Sequence, residues 1–167
     1  GAAPVSGLDQ RGAPRPAAAC DVGAYEYHVP QTASPFTVTK TADATNNACA
    51  VDDCSLRGAI TAANALPGAD TVNVPAGTYT LSITGAGENA NVSGDLDITQ
   101  AVTLNGTGGT ADDVIIQAGT TNSNGIDRVF DIIGAIVVNI SQVTIKNGKC
   151  AGVTCDGGGI SNLTGTL

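Results

Sequence analysis

Five cysteines are the most reactive side chains of this sequence, and four of them form two close pairs. Four residues separate Cys49 from Cys54, four separate Cys150 from Cys155, and Cys20 stands alone. Each pair fits a local disulfide formed in an oxidising compartment. The alternative is a zinc site, which needs four converging Cys or His ligands, but the pairs lie about a hundred residues apart and the chain has 1 His. We therefore predict two local disulfides, with Cys20 either free or bonded to another chain.

Carboxylates are the other candidates for chemistry, because two of them across a cleft can hydrolyse a glycoside and several can bind Ca²⁺. Three pairs lie close in the sequence: Asp95 with Asp97, Asp112 with Asp113, and Asp127 with Asp131. In a strand, Asp95 and Asp97 share one face while Leu96 points to the core. They are the candidate calcium ligands, with Asn91 or Glu88 nearby, and the alternative is a solvated turn. We predict no catalytic centre, no cofactor and no resident metal, and therefore no enzyme.

Two basic residues receive structural interpretations. His28 lies in a proline-containing segment without a Ser or Cys motif for it to activate, so we interpret it as a solvated linker residue. Arg57 falls on a predicted helix, where we expect it to bond Asp52 or Asp53.

The composition favours a thin core and an extracellular setting. Among 167 residues there are 22 Gly, no Met and no Trp, and many of the 42% hydrophobic residues are Ala. A solenoid suits such a chain, because each layer buries a few small or β-branched side chains against its neighbours. Charged residues make up only 13%, so Thr, Asn, Ser and Gly must cover the surface, as is typical of secreted β-rich proteins.

The charge argues against two classes of partner. The net charge is −8, and the seven basic residues are scattered without forming a basic patch. Nucleic acid and anionic membrane surfaces are therefore not expected partners. We also predict no membrane insertion, since the longest strongly apolar run, residues 132–138, is far too short to cross a bilayer.

Three zones divide the chain. Residues 1–35 form an N-terminal segment that ends in a proline-containing linker, and residues 36–69 contain one strand and one helix. The helix is predicted near residues 54–65, where apolar residues recur at helical spacing. Ser55 or Asp53 is its expected N-cap, and the following Pro-Gly pair ends it.

The third zone, residues 70–167, consists of short apolar runs separated by Gly, Asn and Asp. We predict strands at residues 36–40, 71–74, 78–83, 96–98, 102–104, 114–116, 129–132, 137–140 and 143–145. No helix lies between the later strands, which excludes a βαβ architecture. An antiparallel sandwich remains open, but four of the strands recur at intervals of about 12 to 15 residues. We favour an all-β fold, a right-handed parallel β-helix with one short capping α-helix.

The cap region carries a motif with a family resemblance. The stretch Cys54-Ser-Leu-Arg-Gly-Ala-Ile, followed by Pro75-Ala-Gly-Thr-Tyr-Thr-Leu, resembles the start of secreted bacterial β-helix proteins with a Cys-Ser-Leu-Arg-Glu-Ala-Ile signature. The resemblance covers about residues 36–148. It implies that the helix caps the N-terminal end of the solenoid and that the preceding Cys is bonded to the upstream one. Gly58 stands where the family has Glu, so one half of a capping box is missing, and we expect packing and the disulfide to hold the helix.

Two further segments resemble parts of the same proteins, in inverted order. Residues 7–27 are similar to the segment that closes such a domain at its C-terminal end. Residues 157–167 are similar to a repeated rung of these proteins and of bacterial surface adhesins. The resemblance therefore implies a closing segment first and an uncapped rung last.

This order predicts a secreted, non-catalytic structural protein that is extracellular or at the cell surface. We expect residues 1–30 of one subunit to pack on the solenoid end of the next, which gives a head-to-tail homopolymer. The expected contact residues are Cys20, Tyr25, Tyr27, Ile160, Leu163 and Leu167. One alternative is a fragment of a large tandem β-helix surface adhesin. Another is a β-helix that binds or cleaves carbohydrate, with surface glycans as partners.

Overall fold

The computed structural model describes residues 28–45, 49–150 and 157–167, and this part of the chain is mostly β-strand with one α-helix. The helix, α1, spans Leu56–Ala65. The strands are β1 Phe36–Thr37, β2 Asp70–Val74, β3 Gly77–Thr80, β4 Leu96–Ile98, β5 Val102–Gly106, β6 Val114–Gln117, β7 Phe130–Ile132, β8 Val138–Ser141, β9 Thr144–Lys146 and β10 Ile160–Asn162. Each strand predicted from the sequence is present, with ends shifted by a few residues. The prediction missed a short 3₁₀ turn at Ala111–Asp113 and did not delimit β10.

The strands form three parallel sheets, which the chain visits in a fixed order. Sheet A has the order β1-β2-β5-β8, sheet B has β3-β6-β9, and sheet C has β4-β7-β10. The chain passes from A to B to C three times, and we call these passages the first (β2–β4), second (β5–β7) and last (β8–β10) rounds. Every strand pair is parallel, which confirms the predicted parallel arrangement.

Strands that pair within one sheet are farther apart in the sequence than the predicted interval of about 12 to 15 residues. Within a round, successive strands begin between 6 residues apart (β8 to β9) and 19 residues apart (β3 to β4), and they belong to different sheets. Residues that pair lie 37 residues apart for Gly77 with Val114, but only 29 apart for Ile115 with Thr144. The turns between strands therefore differ in length from round to round.

The core is thin and consists of small and branched apolar side chains from all three sheets. In β2 and β5, buried and half-buried residues alternate, as expected for strands with one face inward. The buried set includes Val72, Val74, Leu96, Ile98, Leu104, Val114, Ile116, Phe130, Ile132 and Val138. Stacked rounds thus bury the apolar side chains that the composition assigned to a thin core.

Helix α1 begins after Ser55, whose side chain accepts a hydrogen bond from the Gly58 amide at 3.0 Å. Ser55 is therefore the N-cap, and Asp53 is not. A Glu at position 58 would have completed the reciprocal bond of a capping box, and Gly58 does not supply it. The helix is instead held by packing: Leu56, Ala59, Ile60 and Ala63 are buried, and α1 contacts β1, β2 and β4.

The chain before β1 is fixed to the region around the helix start. The predicted disulfide Cys49–Cys54 is present, and Pro30 forms an antiparallel bridge with Ala50. The Gln31 amide donates to the Cys49 carbonyl at 2.8 Å. Residues 28–35 were predicted to be a linker with little to bury; none of them is fully buried, but these contacts hold the first part of the segment in place.

Several predicted residues lie outside the described ranges: Cys20, Tyr25, Tyr27 and Cys155. Cys150 is disulfide-bonded, and its predicted partner, Cys155, lies outside the described ranges.

The stack has two distinct ends. The edge strands β1, β3 and β4, together with α1, form the first end, and β8, β9 and β10 form the last end. Within the described ranges, no helix is long and apolar enough to cross a bilayer.

Candidate functional site

Three carboxylates from two rounds converge on one side of sheet C. Asp97 lies in β4, and its register partner in β7 is Asp131, while Asp95 immediately precedes β4. One carboxylate oxygen from each of the three lies within 4.8 Å of those of the other two. The sequence grouped Asp131 with Asp127, whereas the parallel register places it beside Asp97.

The cluster is covered rather than solvated. Asp97 is 0% exposed and Asp95 only 3%, so the predicted solvated turn is wrong. The cover is a loop of residues 85–94, the cover loop, whose base is closed by a bond from the Gly94 amide to the Ile83 carbonyl. The cover loop contacts the Asp97 carboxylate through the Asn91 amide, and the Asp95 carboxylate contacts Arg128.

Asn91 at φ +57° fixes the cover loop to both the strand and the helix. Its amide donates to Asp97 Oδ2 at 2.8 Å, and its side-chain Nδ2 donates to the Arg57 carbonyl at 3.0 Å and to Thr61 Oγ1 at 2.8 Å. Glu88 accepts from three amides within the loop, so it organises the loop. Of the two residues predicted to assist Asp95 and Asp97, Asn91 contacts Asp97.

The charges in this region are not balanced. Arg128 Nε donates to Asp95 Oδ2 at 3.1 Å, and its Nη2 lies 3.8 Å from Asp131 Oδ2. Within the described part of the chain, Asp97 Oδ1 and Asp127 Oδ2 are buried and accept no hydrogen bond. Two carboxylate oxygens therefore lack the partner that buried polar atoms normally have.

The buried environment raises the pKa of Asp97 and of Asp95. Burial raises the pKa of Asp97 to about 7, with a hydrogen bond from the Asn91 amide opposing the shift and the charges of Asp95 and Glu88 adding to it. Burial, with Asp127 nearby, raises the pKa of Asp95 to about 6, and Arg128 opposes that shift. Both carboxyls therefore take up a proton more readily than an ordinary aspartate does.

Arg57 is the largest fully buried side chain, and its partner is one that the sequence did not indicate. Its Nε donates to Asp43 Oδ1 at 2.7 Å and its Nη2 to Asp43 Oδ2 at 3.2 Å, not to Asp52 or Asp53. It also donates to the carbonyls of Gly94 and Asp95, each at 2.8 Å. The guanidinium therefore anchors the base of the cover loop and the start of β4 to the helix.

Asp43 completes this arrangement from the other side. Its Oδ2 accepts from the Ser82 amide at 2.9 Å and from the Ile83 amide at 3.2 Å. Burial by itself raises the pKa of Asp43, but the hydrogen bonds from Arg57 and the two amides outweigh it, and the pKa lies below its usual value.

The remaining predicted polar residues lie apart from the acidic cluster. Asp113 accepts from the amide and the hydroxyl of Thr110 at the 3₁₀ turn, so it is a local cap. His28 was predicted to be solvated, but its side chain is largely buried and its Nδ1 lies 2.9 Å from Asp52 Oδ1.

The last end contains a second feature, an opening into the apolar interior. A cavity of about 490 Å³ is lined by Asn139, Ile140, Ser141, Val143, Ile145, Ile160 and Leu167. The apolar members come from all three last strands and from the residues around them, and each of Ile140, Ile145 and Ile160 is only partly buried. Of the predicted contact residues, Ile160 and Leu167 line this opening, and Leu163 is exposed nearby in sequence.

Comparison with known proteins finds no matching family model, no similar curated protein and no similar solved structure.

Proposed function

We propose that this protein is an extracellular structural subunit, a right-handed parallel β-helix whose copies assemble head to tail. The repeated A-B-C order of the parallel sheets supports the β-helix. Its right hand follows from the preference of parallel crossovers, which are right-handed in about 98% of cases. The Cys49–Cys54 disulfide and the 13% content of charged residues support an oxidising, extracellular setting.

The open interior at the last end is the observation that carries the assembly proposal. Ile140, Ile145 and Ile160 come from three different strands at the last end, and their side chains line one cavity, with no described strand beyond them. Edge strands also present unpaired backbone groups that can bind another strand. A second β segment placed there would bury the apolar side chains and pair those edges.

Residues 1–30 of a second copy are the proposed occupant. The bridge between Pro30 and Ala50 joins the N-terminal segment to the first end, opposite the cavity. Helix α1 covers β1, β2 and β4 at that end, so direct continuation of the sheets from copy to copy is hindered there. In a head-to-tail stack, the N-terminal segment of one copy therefore lies next to the open end of its neighbour. Its likeness to a closing segment supports that role.

The protein is proposed to be non-catalytic. The two carboxylates with raised pKa, Asp95 and Asp97, are buried, so a glycan cannot contact both. A general acid must reach the atom that it protonates, and these side chains do not.

The test compares assembly of the full chain with that of three variants by light scattering and electron microscopy. Deletion of residues 1–27 is expected to leave monomers, and it spares residues 28–30, which contact their own subunit. Leu167→Lys at the cavity is expected to weaken assembly, because it places a charge in the apolar contact. Val92→Lys is the matched control: Val92 is 53% exposed and Leu167 59%, but Val92 lies on the cover loop. Filaments of the deletion variant, or equal effects of the two lysines, would contradict the proposal.

A longer tandem β-helix is the second candidate, and one observation favours it. After β10 the chain returns to sheet A, where Thr166 forms a parallel bridge with Val137. The Val138 amide donates to the Thr166 carbonyl at 2.8 Å, which is the pattern of a further round. An intact-mass measurement on the native protein separates the candidates, since a tandem protein is far heavier than 16.4 kDa.

A further inference from the structure

The acidic cluster on sheet C contains more negative charge than its surroundings neutralise. Asp95, Asp97, Asp127 and Asp131 supply four carboxyl groups, and among the described residues only the guanidinium of Arg128 contacts them, at Asp95 and Asp131. Asp97 receives a hydrogen bond from the Asn91 amide on one oxygen, and its Oδ1 has no donor among the described residues. A buried carboxylate in this state is costly unless a cation or a proton compensates it.

The position of the orphaned oxygens points to a ligand. Asp97 is fully buried, and its unpartnered oxygen belongs to the three-carboxylate cluster. Asp127 is outside that group of three, yet it is buried, has an unpartnered Oδ2, and its charge acts on Asp95. Two separate side chains thus present buried acceptors without donors in the same region.

We propose that Asp95, Asp97 and Asp131 bind a calcium ion between the first and second rounds. Calcium takes oxygen ligands at about 2.3–2.6 Å, so two ligands of one ion are at most about 5 Å apart. The three carboxylates meet this condition, with oxygens within 4.8 Å of one another. Magnesium demands shorter, nearly octahedral coordination, and zinc prefers the nitrogen and sulfur ligands that this cluster lacks.

The ion would link elements that are distant in the sequence. Asp97 and Asp131 are register partners on neighbouring rounds, so one ion bridges β4 and β7. Asn91 connects Asp97 to the cover loop and to α1, and the ion therefore also stabilises that loop. The half-buried Asp131 gives access for the ion and for the water molecules that complete its coordination.

The test uses the full chain after removal of metals with a chelator. Titration calorimetry with CaCl₂ is expected to show binding, and thermal unfolding is expected to show a higher Tm in CaCl₂ than in EDTA, with a smaller rise in MgCl₂. Asp97→Asn and Asp131→Asn are each expected to remove the calcium-dependent rise, since each removes a charged ligand. Asp131→Asn alters a half-buried position, so it remains informative if Asp97→Asn fails to fold.

Asp112→Asn is the matched control, because this exposed aspartate lies on the 3₁₀ turn away from the cluster. It is expected to keep the full calcium response. The proposal is overturned if millimolar calcium gives neither heat of binding nor a change in Tm. It is equally overturned if Asp131→Asn retains the response.

Discussion

At the scale of single residues, the Arg57–Asp43 pair is the contact on which most of the local structure depends. Both side chains are almost fully excluded from water, at 0% and 2% exposure. Arg57 also donates to the carbonyls of Gly94 and Asp95, so one guanidinium connects α1, the cover loop and the start of β4. Removing one partner of such a pair leaves a buried charge without compensation, which is far more costly than losing a surface ion pair.

Asp43→Asn is therefore expected to lower the free energy of unfolding by about 3–5 kcal/mol. The carboxamide keeps the shape but removes the charge and one of the acceptors that Arg57 needs. Asp52→Asn is the control, because Asp52 lies at a more exposed site and pairs only with His28 among the described contacts; its cost is expected to be about 1 kcal/mol or less. Urea unfolding measures both. Equal losses for the two variants would contradict the assigned role of Asp43.

The same pair gives a pH dependence with a definite sign. The pKa of Asp43 is lower in the folded protein than its usual value, so its contribution is present above about pH 4 and is lost as the pH falls through the folded pKa. The difference in the free energy of unfolding between wild type and Asp43→Asn should therefore become smaller as the pH falls below about 4.

Single-residue contacts were the part of the site least accessible from the sequence. Arg57 was correctly interpreted as structural, but its partner lies 14 residues before it on an irregular loop, whose path no hydrophobic pattern specifies. Asp95 and Asp97 were identified because their spacing in a strand is periodic. Their proximity to Asp131 depends on the parallel pairing of β4 with β7, in which paired residues are 34 positions apart in the sequence. That offset is set by the lengths of the turns and not by local propensity.

At the scale of elements, close stacking of the rounds requires glycine where a strand meets the next turn. Gly106 ends β5, and a methyl group there would collide with the backbone carbonyl of Gln142 in the last round. Its φ is not positive, so the requirement is space rather than backbone conformation.

Gly106→Ala is accordingly expected to destabilise the protein by about 1–3 kcal/mol, since the backbone of the last round must move to admit the methyl group. Gly159→Ala is the matched control: the nearest atom to its added methyl group is Ile145 Cγ2 at 3.7 Å, an ordinary contact. Its effect should stay within about 0.5 kcal/mol. Thermal unfolding of both variants distinguishes the two cases, and a silent Gly106→Ala would show that the rounds are less closely packed there.

Element types were largely predictable, whereas their stacking was not. Apolar runs bounded by Gly and Asn predicted the strands, and the spacing of apolar residues predicted α1, with Ser55 or Asp53 as its cap, of which the structure has Ser55. The pairing partners remained undetermined because the offsets vary from 29 to 37 residues. With offsets that vary so much, no single sequence period marks which strands are neighbours.

At the scale of the whole molecule, the three rounds differ in how many neighbours they have. The second round, β5–β7, has a round on each side in all three sheets. Among the residues that the structure describes, β9 and β10 of the last round each pair on one side, and next to β8 there is one further bridge, from Val137 to Thr166. In a stacked architecture stability depends on intrinsic terms and on the contacts between neighbouring rounds, so the last round has fewer such contacts to stabilise it.

Amide hydrogen exchange measures the difference in local stability between the second and the last round, and how that difference changes on assembly. In the variant lacking residues 1–27, which the proposed assembly expects to be monomeric, amides of β9 and β10 are expected to exchange faster than those of β6 and β7, because fewer contacts oppose their local opening. In the assembled full chain, β9 and β10 should become as protected as the second round, because the proposed assembly places the N-terminal segment of a neighbour over their edges. Protection of β6 and β7 should stay unchanged, which makes them the internal control. Assembly that left β9 and β10 unprotected would mean that the copies associate through a different surface, and the open end would then need another occupant.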